Sequence, residues 1–312
     1  MGDVHVVFGT GGVGRAVIDA LVERGLPVRA ISRAPSGLPQ GVAAVPGDAA
    51  DPAFAASAAK DAVAVYQCMS PPYHRWGDLF PPLQRSLAAA ARSAGARYVS
   101  FENLYVYGDS HGVPIVEDTA VAPTTRKGAV RAAMAAELKG LAEAGDLAVA
   151  TARASDYFGP NAREQSPLGS RVIGRALAGK PAQVIGDPDQ PHSYTYLPDI
   201  GRVLAILGTD ERAVGAVWHV PNAPARTTRE LIALIAAEIG HPVKVAPTPK
   251  LLLRVLGLFN PVIGELDEML YQFEQPFVVD STKFEKTFGT AATPFEQSIP
   301  QTVAWWRALA KS

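Results

Sequence analysis

From its fourth residue the chain reads VHVVFGTGGVGRAV: a short apolar run, a glycine cluster, then Val13, Val17 and Leu21 at helical spacing. A buried strand that must turn at once into a helix leaves few folds open. Gly9, Gly11 and Gly14 satisfy GxGxxG, and each glycine has a separate task. The first permits the tight turn, the second lets a pyrophosphate approach the backbone, and the third lets the helix pack on the strand. The helix N-terminus then presents its N–H groups to an anion. Gly9, Thr10, Gly11, Gly12, Val13 and Gly14 are therefore the first candidate cofactor-binding set. The competing reading is a glycine-rich turn in a domain of the same kind that binds no dinucleotide.

The alternation continues. VHVVF, RAVIDALVERG, PVRAIS, VAAVPGD, DAVAVYQCM, LQRSLAAAARSAG and RYVSF follow one another as apolar runs and alanine-rich helical stretches. Short, continuously apolar strands separated by helices predict a parallel sheet covered on both faces. Gly25 and Gly95 fall where helix stops are needed. A helix over about 127–141 and a strand in LAVATARAS come next. The expected fold class is α/β, a Rossmann-type doubly wound parallel sheet with a smaller, mainly helical C-terminal substrate lobe. After Phe158 the chain turns rich in Pro, Gly and polar residues, and regular alternation returns only at AVWHVPN, 216–222. The expected domains are 1–158 for dinucleotide binding and 159–312 for most of the substrate lobe, with about 192–222 returning to the first domain. RTTRELIALIAAEIGHPVKV predicts a capped helix and a short strand, and LLLRVLGLF (Leu251–Phe259) an amphipathic helix too short to span a membrane.

Composition narrows the chemistry. In 312 residues there is one cysteine, Cys68, and the six histidines show no HxxH or HExxH spacing, so neither a disulfide nor a metal site is expected. A formal net charge of −1 with dispersed Lys and Arg argues against nucleic acid and anionic membrane as partners. The first strand begins too soon after Met1 to leave room for a signal peptide, so a reduced, cytoplasmic setting is expected.

The end of the second strand separates the two nicotinamide cofactors. NAD sites usually carry Asp or Glu there; this chain has AISRAP, with Ser32 and Arg33 and no carboxylate between Arg29 and Gly47. Arg33 suits a 2′-phosphate, which favours NADP(H) over NAD(H), although a solvated loop arginine would look the same. Asp48, closing VPGD, is either an edge of the adenine pocket or a turn residue.

With this register in place, the chain resembles the extended or atypical short-chain dehydrogenase/reductases, the NAD(P)-dependent epimerase/dehydratase superfamily, over nearly its whole length. GTGGVGRAV, the GD after the third strand, YVSFENLYVYG, RASDYFGP, YLPDIGR, VWHVPN and VVDSTKFEKTFG carry the resemblance. It implies a Ser or Thr that polarises a carbonyl and a YxxxK pair in which Tyr exchanges a proton. This chain departs from both. Counting back from VYG puts Asn103 at the hydroxyl position, and counting back four from Lys127 puts Pro123 at the tyrosine's. Lys127 would still hold the nicotinamide ribose, unless it is an ordinary solvent-facing lysine of a first helical turn. Asn103 can donate an amide N–H to a developing oxyanion; the competing reading is that it only ties down the strand end. Thr124 and Thr125 suit N-caps better than acids. Loops at the carboxyl ends of strands offer other donors: Tyr73 and His74 in SPPYHRW, Glu102 and Tyr105 in ENLYVYG, and Asp156 and Tyr157 in SDYF. Tyr73 and His74 are expected to line the substrate pocket.

The expectation is an enzyme: an NADP(H)-dependent oxidoreductase acting on a carbonyl or alcohol of a small organic substrate without the usual tyrosine. Two alternatives stand beside it, an NAD(P)-dependent epimerase/dehydratase, with a sugar nucleotide as one candidate substrate, and a redox-silent NADP-binding sensor or scaffold. Arg163, Arg171 and Arg175 leave a pyrophosphate subsite open. The resemblance makes a homodimer plausible, with no sequence feature to specify its interface.

Overall fold

The computed structural model describes residues 3–249 and 267–310. The chain divides into two compact units. The first comprises Met1–Val106, Lys127–Ala154 and Pro198–Val220, and the second Tyr107–Arg126, Ser155–Leu197 and Pro221–Ser312.

In the first unit, β1 (Val4–Phe8), α1 (Gly12–Glu23), β2 (Val28–Ser32), β3 (Ala43–Pro46), α2 (Pro52–Ala58), β4 (Ala62–Gln67), α3 (Trp76–Ala94), β5 (Arg97–Glu102), α4 (Arg126–Glu143), β6 (Val149–Arg153), α5 (Leu197–Leu207) and β7 (Val217–His219) follow in chain order. The strands form one seven-stranded sheet, ordered β7-β6-β5-β4-β1-β2-β3. Every pairing in it is parallel. This is the doubly wound plan expected from the apolar runs. Strand order reverses between β1 and β4, where Phe8 faces Ile31 on one side and Gln67 on the other. Open α/β sheets bind their ligands in the crevice at such a reversal.

The central strands carry apolar residues on both faces because both faces are covered; Val6, Val7, Phe8, Val65 and Val99 are fully buried. At the sheet edge β3 is mostly exposed and ends in Pro46, whose missing N–H costs no ladder bond there. Gly95 stops α3 in the left-handed conformation, φ 65°, and Gly25, φ 69°, follows the end of α1. The helix read from Leu83 begins earlier, at Trp76, despite Pro81 and Pro82. Buried Trp76 and Phe80 anchor that first part against the core, so packing overrides the proline signal. The buried stripe of α4 is Lys127, Arg131, Met134 and Leu138, with two cations where apolar residues would be ordinary.

The second unit combines short strand pairs with helices. Tyr157–Phe158 pairs with Thr195–Tyr196, Pro191–His192 with Arg226–Thr227, and Ala182–Ile185 with Val245–Thr248. Helices Thr228–Ile239, Thr282–Phe288 and Phe295–Leu309 supply its C-terminal part. The expected capping box is formed, with the Thr227 hydroxyl and the Glu230 carboxylate each accepting from the other's backbone N–H. Phe158, Leu168, Tyr194, Ile232, Phe295 and Trp306 make its core. The amphipathic helix expected at Leu251–Phe259 lies outside the described residues. Among the described residues, no helix is long and apolar enough to cross a membrane.

Candidate cofactor and active site

The strand-to-helix turn is shaped by backbone crowding. Gly9 sits at φ +107°, and a Cβ there would come 2.8 Å from the Cys68 carbonyl oxygen. A Cβ on Gly14 would fall 1.8 Å from the Gly9 carbonyl oxygen, so α1 can pack this closely on the turn only with glycine at that place. Gly11 differs. Its Cβ would meet no protein atom within 4 Å, so this side of the turn is open. Gly11 is also the N-cap of α1 and makes no side-chain cap bond, and the first turn holds no acid. The arrangement fits a dinucleotide pyrophosphate: two glycines are demanded by the protein's own packing, and the third borders space beside uncapped N–H groups.

The Thr10 hydroxyl donates to Ser32 Oγ at 2.9 Å and ties the turn to the end of β2. Arg33, the next residue, is exposed. Arg15, which the sequence reading passed over, bonds Asp19 at 3.0 Å and also donates to the Gly37 carbonyl, holding the loop after β2 against α1. Asp48 is exposed and accepts from the Ala50 N–H at 3.0 Å, a turn contact.

A second group of candidates meets at the ends of β4 and β5. Lys127 is only 3% exposed, which removes the solvent-lysine alternative. Its Nζ lies 4.3 Å from the centroid of the Tyr73 ring. The Tyr73 hydroxyl donates to the Tyr105 hydroxyl at 3.1 Å. Trp76 packs edge-on to Tyr73 at 5.0 Å and stacks on Tyr105 at 6.0 Å. Asn103 accepts from the Tyr105 N–H through Oδ1 at 3.3 Å, which leaves its NH2 group as the donor end. His74 shares the short turn Tyr73–Arg75 but is exposed, and the contacts that gather Tyr73, Tyr105 and Lys127 do not include it.

Behind this group lies a buried charge cluster. Glu102 bonds Arg153 Nε at 3.0 Å, with side chains 1% and 6% exposed. Arg131, one turn after Lys127, donates to the Phe101 carbonyl at 3.1 Å and lays its guanidinium 4.8 Å from the Phe80 centroid. Burial pulls the proton affinity of Arg131 down while the Glu102 carboxylate pulls it up. Glu102, one of the loop donors considered from sequence, is thus committed to Arg153. Desolvation raises the Cys68 thiol above its ordinary value and disfavours the thiolate.

In the second unit, both ring nitrogens of His192 face acceptors. Nδ1 lies 3.1 Å from the Gln272 carbonyl and Nε2 lies 3.0 Å from Asp156 Oδ2. The ring stacks on Phe273 at 5.0 Å. Nothing around this histidine in the sequence marked it. Tyr157 donates to Gln165 at 2.8 Å, and burial pushes its phenol up to about 12. Arg163 and Arg171 are exposed, and Arg175 donates to the Pro181 carbonyl. Among the described residues, no group of three or more His, Cys, Asp or Glu could hold a metal ion.

Residues 5–220 match the model of the NAD dependent epimerase/dehydratase family. The chain belongs to that family. A dTDP-glucose 4,6-dehydratase of Neisseria gonorrhoeae is 26% identical to this family member over 211 residues, 64% of this chain and 56% of that one. An uncharacterized UDP-glucose epimerase of Bacillus subtilis is 24% identical over 169 residues, 51% and 52% of the two chains. The chain thus spans about half the length of these relatives. Among solved structures, dTDP-glucose 4,6-dehydratase of Bacillus anthracis in complex with NAD superposes with a TM-score of 0.80 at 14% identity, covering 99% of this chain and 97% of that one. UDP-glucuronic acid 4-epimerase of Bacillus cereus in complex with NAD gives 0.79 at 16% identity, covering 99% and 98%. At such identities the likeness is one of fold.

Proposed function

We propose that this family member binds NADP(H) at the turn between β1 and α1 and catalyses hydride transfer at a carbonyl or alcohol carbon of a small organic substrate. The observation that carries the reading is the burial of Lys127 against Tyr73, whose hydroxyl bonds that of Tyr105: an ammonium and a phenol pair stand together although the family's tyrosine position holds Pro123. When bound, NADP(H) supplies or takes up the hydride. The residues do the rest. N–H groups of the turn and of the first turn of α1 bind the pyrophosphate, and Arg33 with Ser32 receives the 2′-phosphate. Lys127 donates to the nicotinamide ribose. The Asn103 amide donates to the carbonyl oxygen as negative charge grows there.

A second reading has one specific support, that both named relatives carry sugar-nucleotide names. In an epimerase or dehydratase the hydride returns to the same molecule, so the cofactor copurifies and shows no net oxidation. Calorimetry with NADPH and NADH, followed by NADPH consumption over a carbonyl panel, tests both readings. Net oxidation supports the dehydrogenase and excludes a redox-silent sensor. Bound cofactor without net oxidation, together with turnover of a nucleotide sugar, favours the epimerase. Binding of neither nucleotide overturns the proposal.

A further inference from the structure

We infer that Tyr105 is the proton donor of this site, and that Tyr73, charge-compensated by Lys127, recharges it. The inference rests on the dehydrogenase reading above and deepens it by naming the acid.

Three observations converge. First, the Tyr73 hydroxyl lies 3.1 Å from the Tyr105 hydroxyl and donates to it, so a proton can pass from one phenol to the other. Second, the Lys127 ammonium sits over Tyr73, with Nζ 4.3 Å from the ring centroid. Negative charge that passes back along the pair therefore ends beside a buried cation, where it is stabilised most. Third, Asn103 and Tyr105 belong to one turn, locked by the bond from the Tyr105 N–H to Asn103 Oδ1. The carbonyl-polarising amide and the acid are thus positioned by the same three residues. Trp76 holds both phenol rings, and its own Nε1 donates to the Pro71 carbonyl at 3.2 Å, so the pair is supported on a fixed wall.

The step balances. As the hydride from NADPH forms a C–H bond at the carbonyl carbon, the carbonyl oxygen takes the proton of the Tyr105 O–H. Tyr105 oxygen takes the Tyr73 proton, and the Tyr73 phenolate remains over the Lys127 ammonium until water returns a proton. The carbonyl is reduced by two electrons, NADPH is oxidised by two, and one proton is drawn from solvent. Tyr105 is the residue that touches substrate; Tyr73 acts through it.

Two measurements on the full chain test this, with Tyr105→Phe, Tyr73→Phe and Lys127→Met; phenylalanine keeps the ring packing, and tryptophan fluorescence checks the fold around Trp76. With the carbonyl that wild type reduces, Tyr105→Phe should bind NADPH normally, leave KM nearly unchanged and lose about 10²–10⁴-fold in kcat. Tyr73→Phe should lose less. Ultraviolet titration of tyrosinate in the cofactor-free protein needs neither NADPH nor substrate. It should show an ionisation that vanishes in Tyr73→Phe and moves to higher pH in Lys127→Met. Unchanged kcat in Tyr105→Phe, or a titration indifferent to Lys127→Met, overturns the relay. Failure of wild type to bind NADPH would instead defeat the cofactor reading, and the titration would still decide whether Lys127 stabilises charge on Tyr73.

Discussion

A Cβ placed on Gly14 would fall 1.8 Å from the carbonyl oxygen of Gly9. No side-chain rotation relieves that overlap, because both atoms are fixed by the backbone, so α1 would have to move off the turn. Gly14→Ala is expected to lower the melting temperature and abolish nucleotide binding, whereas Gly11→Ala, whose Cβ meets no protein atom within 4 Å, should fold normally and weaken binding alone. Thermal unfolding beside calorimetry separates the two outcomes.

Arg33→Ala should weaken NADPH by about 10–100-fold, the 1.5–3 kcal/mol of a hydrogen bond to a charged group, and leave NADH unchanged. The residue is exposed, so stability should not move. Equal loss for both nucleotides would remove the 2′-phosphate assignment.

If Asn103 is the oxyanion donor of the proposed reaction, Asn103→Ala should cost about 10²–10³-fold in kcat, at the scale of a lost oxyanion donor. The same change frees the Tyr105 N–H, so NADPH affinity measured alongside distinguishes a chemical effect from collapse of the turn.

Glu102→Gln should destabilise the first unit by about 3–5 kcal/mol, because it removes the buried negative charge that Arg153 bonds and that raises the proton affinity of Arg131. Urea unfolding reads this directly, and a cost below 1 kcal/mol would show the pair to be dispensable.

His5 gives the protein an acid-sensitive point. Burial, with Arg24 and Arg97 adding to it, lowers its pKa from 6.5 to about 4, and its Nδ1 lies 2.8 Å from the buried Tyr66 hydroxyl. Between those values the unfolded chain binds the proton and the folded one does not. The contribution is therefore complete above pH 6.5 and is lost as pH falls toward 4, amounting to roughly 3 kcal/mol. His5→Gln should flatten the stability curve in that window; an unchanged slope would place the acid sensitivity elsewhere.

Much of the fold could be read locally. The parallel sheet followed from strands apolar on both faces, and the helix stops from Gly25 and Gly95. The start of α3 at Trp76 could not be read so, because Pro81 and Pro82 suggest a break and only the burial of Trp76 and Phe80 overrides it. Of the site, the glycine turn was legible because Gly9 and Gly14 answer backbone packing and Gly11 keeps the space beside the helix start open. His74 and Tyr73 looked alike as loop residues, and Glu102 looked like a donor, since sequence shows neither exposure nor partners.

The sequence by itself determined the order of strands and helices, the glycine turn with its helix, the absence of a carboxylate after β2, and the loss of the usual tyrosine at Pro123. These are properties of neighbours along the chain, where a few residues decide the backbone. Tertiary structure alone decided that Lys127 is buried, that its charge rests on a tyrosine 54 positions away in the chain, and that Tyr73 reaches Tyr105. Cation–π contact, hydroxyl pairing and desolvation act through space between residues that folding brings together, and no local pattern encodes them.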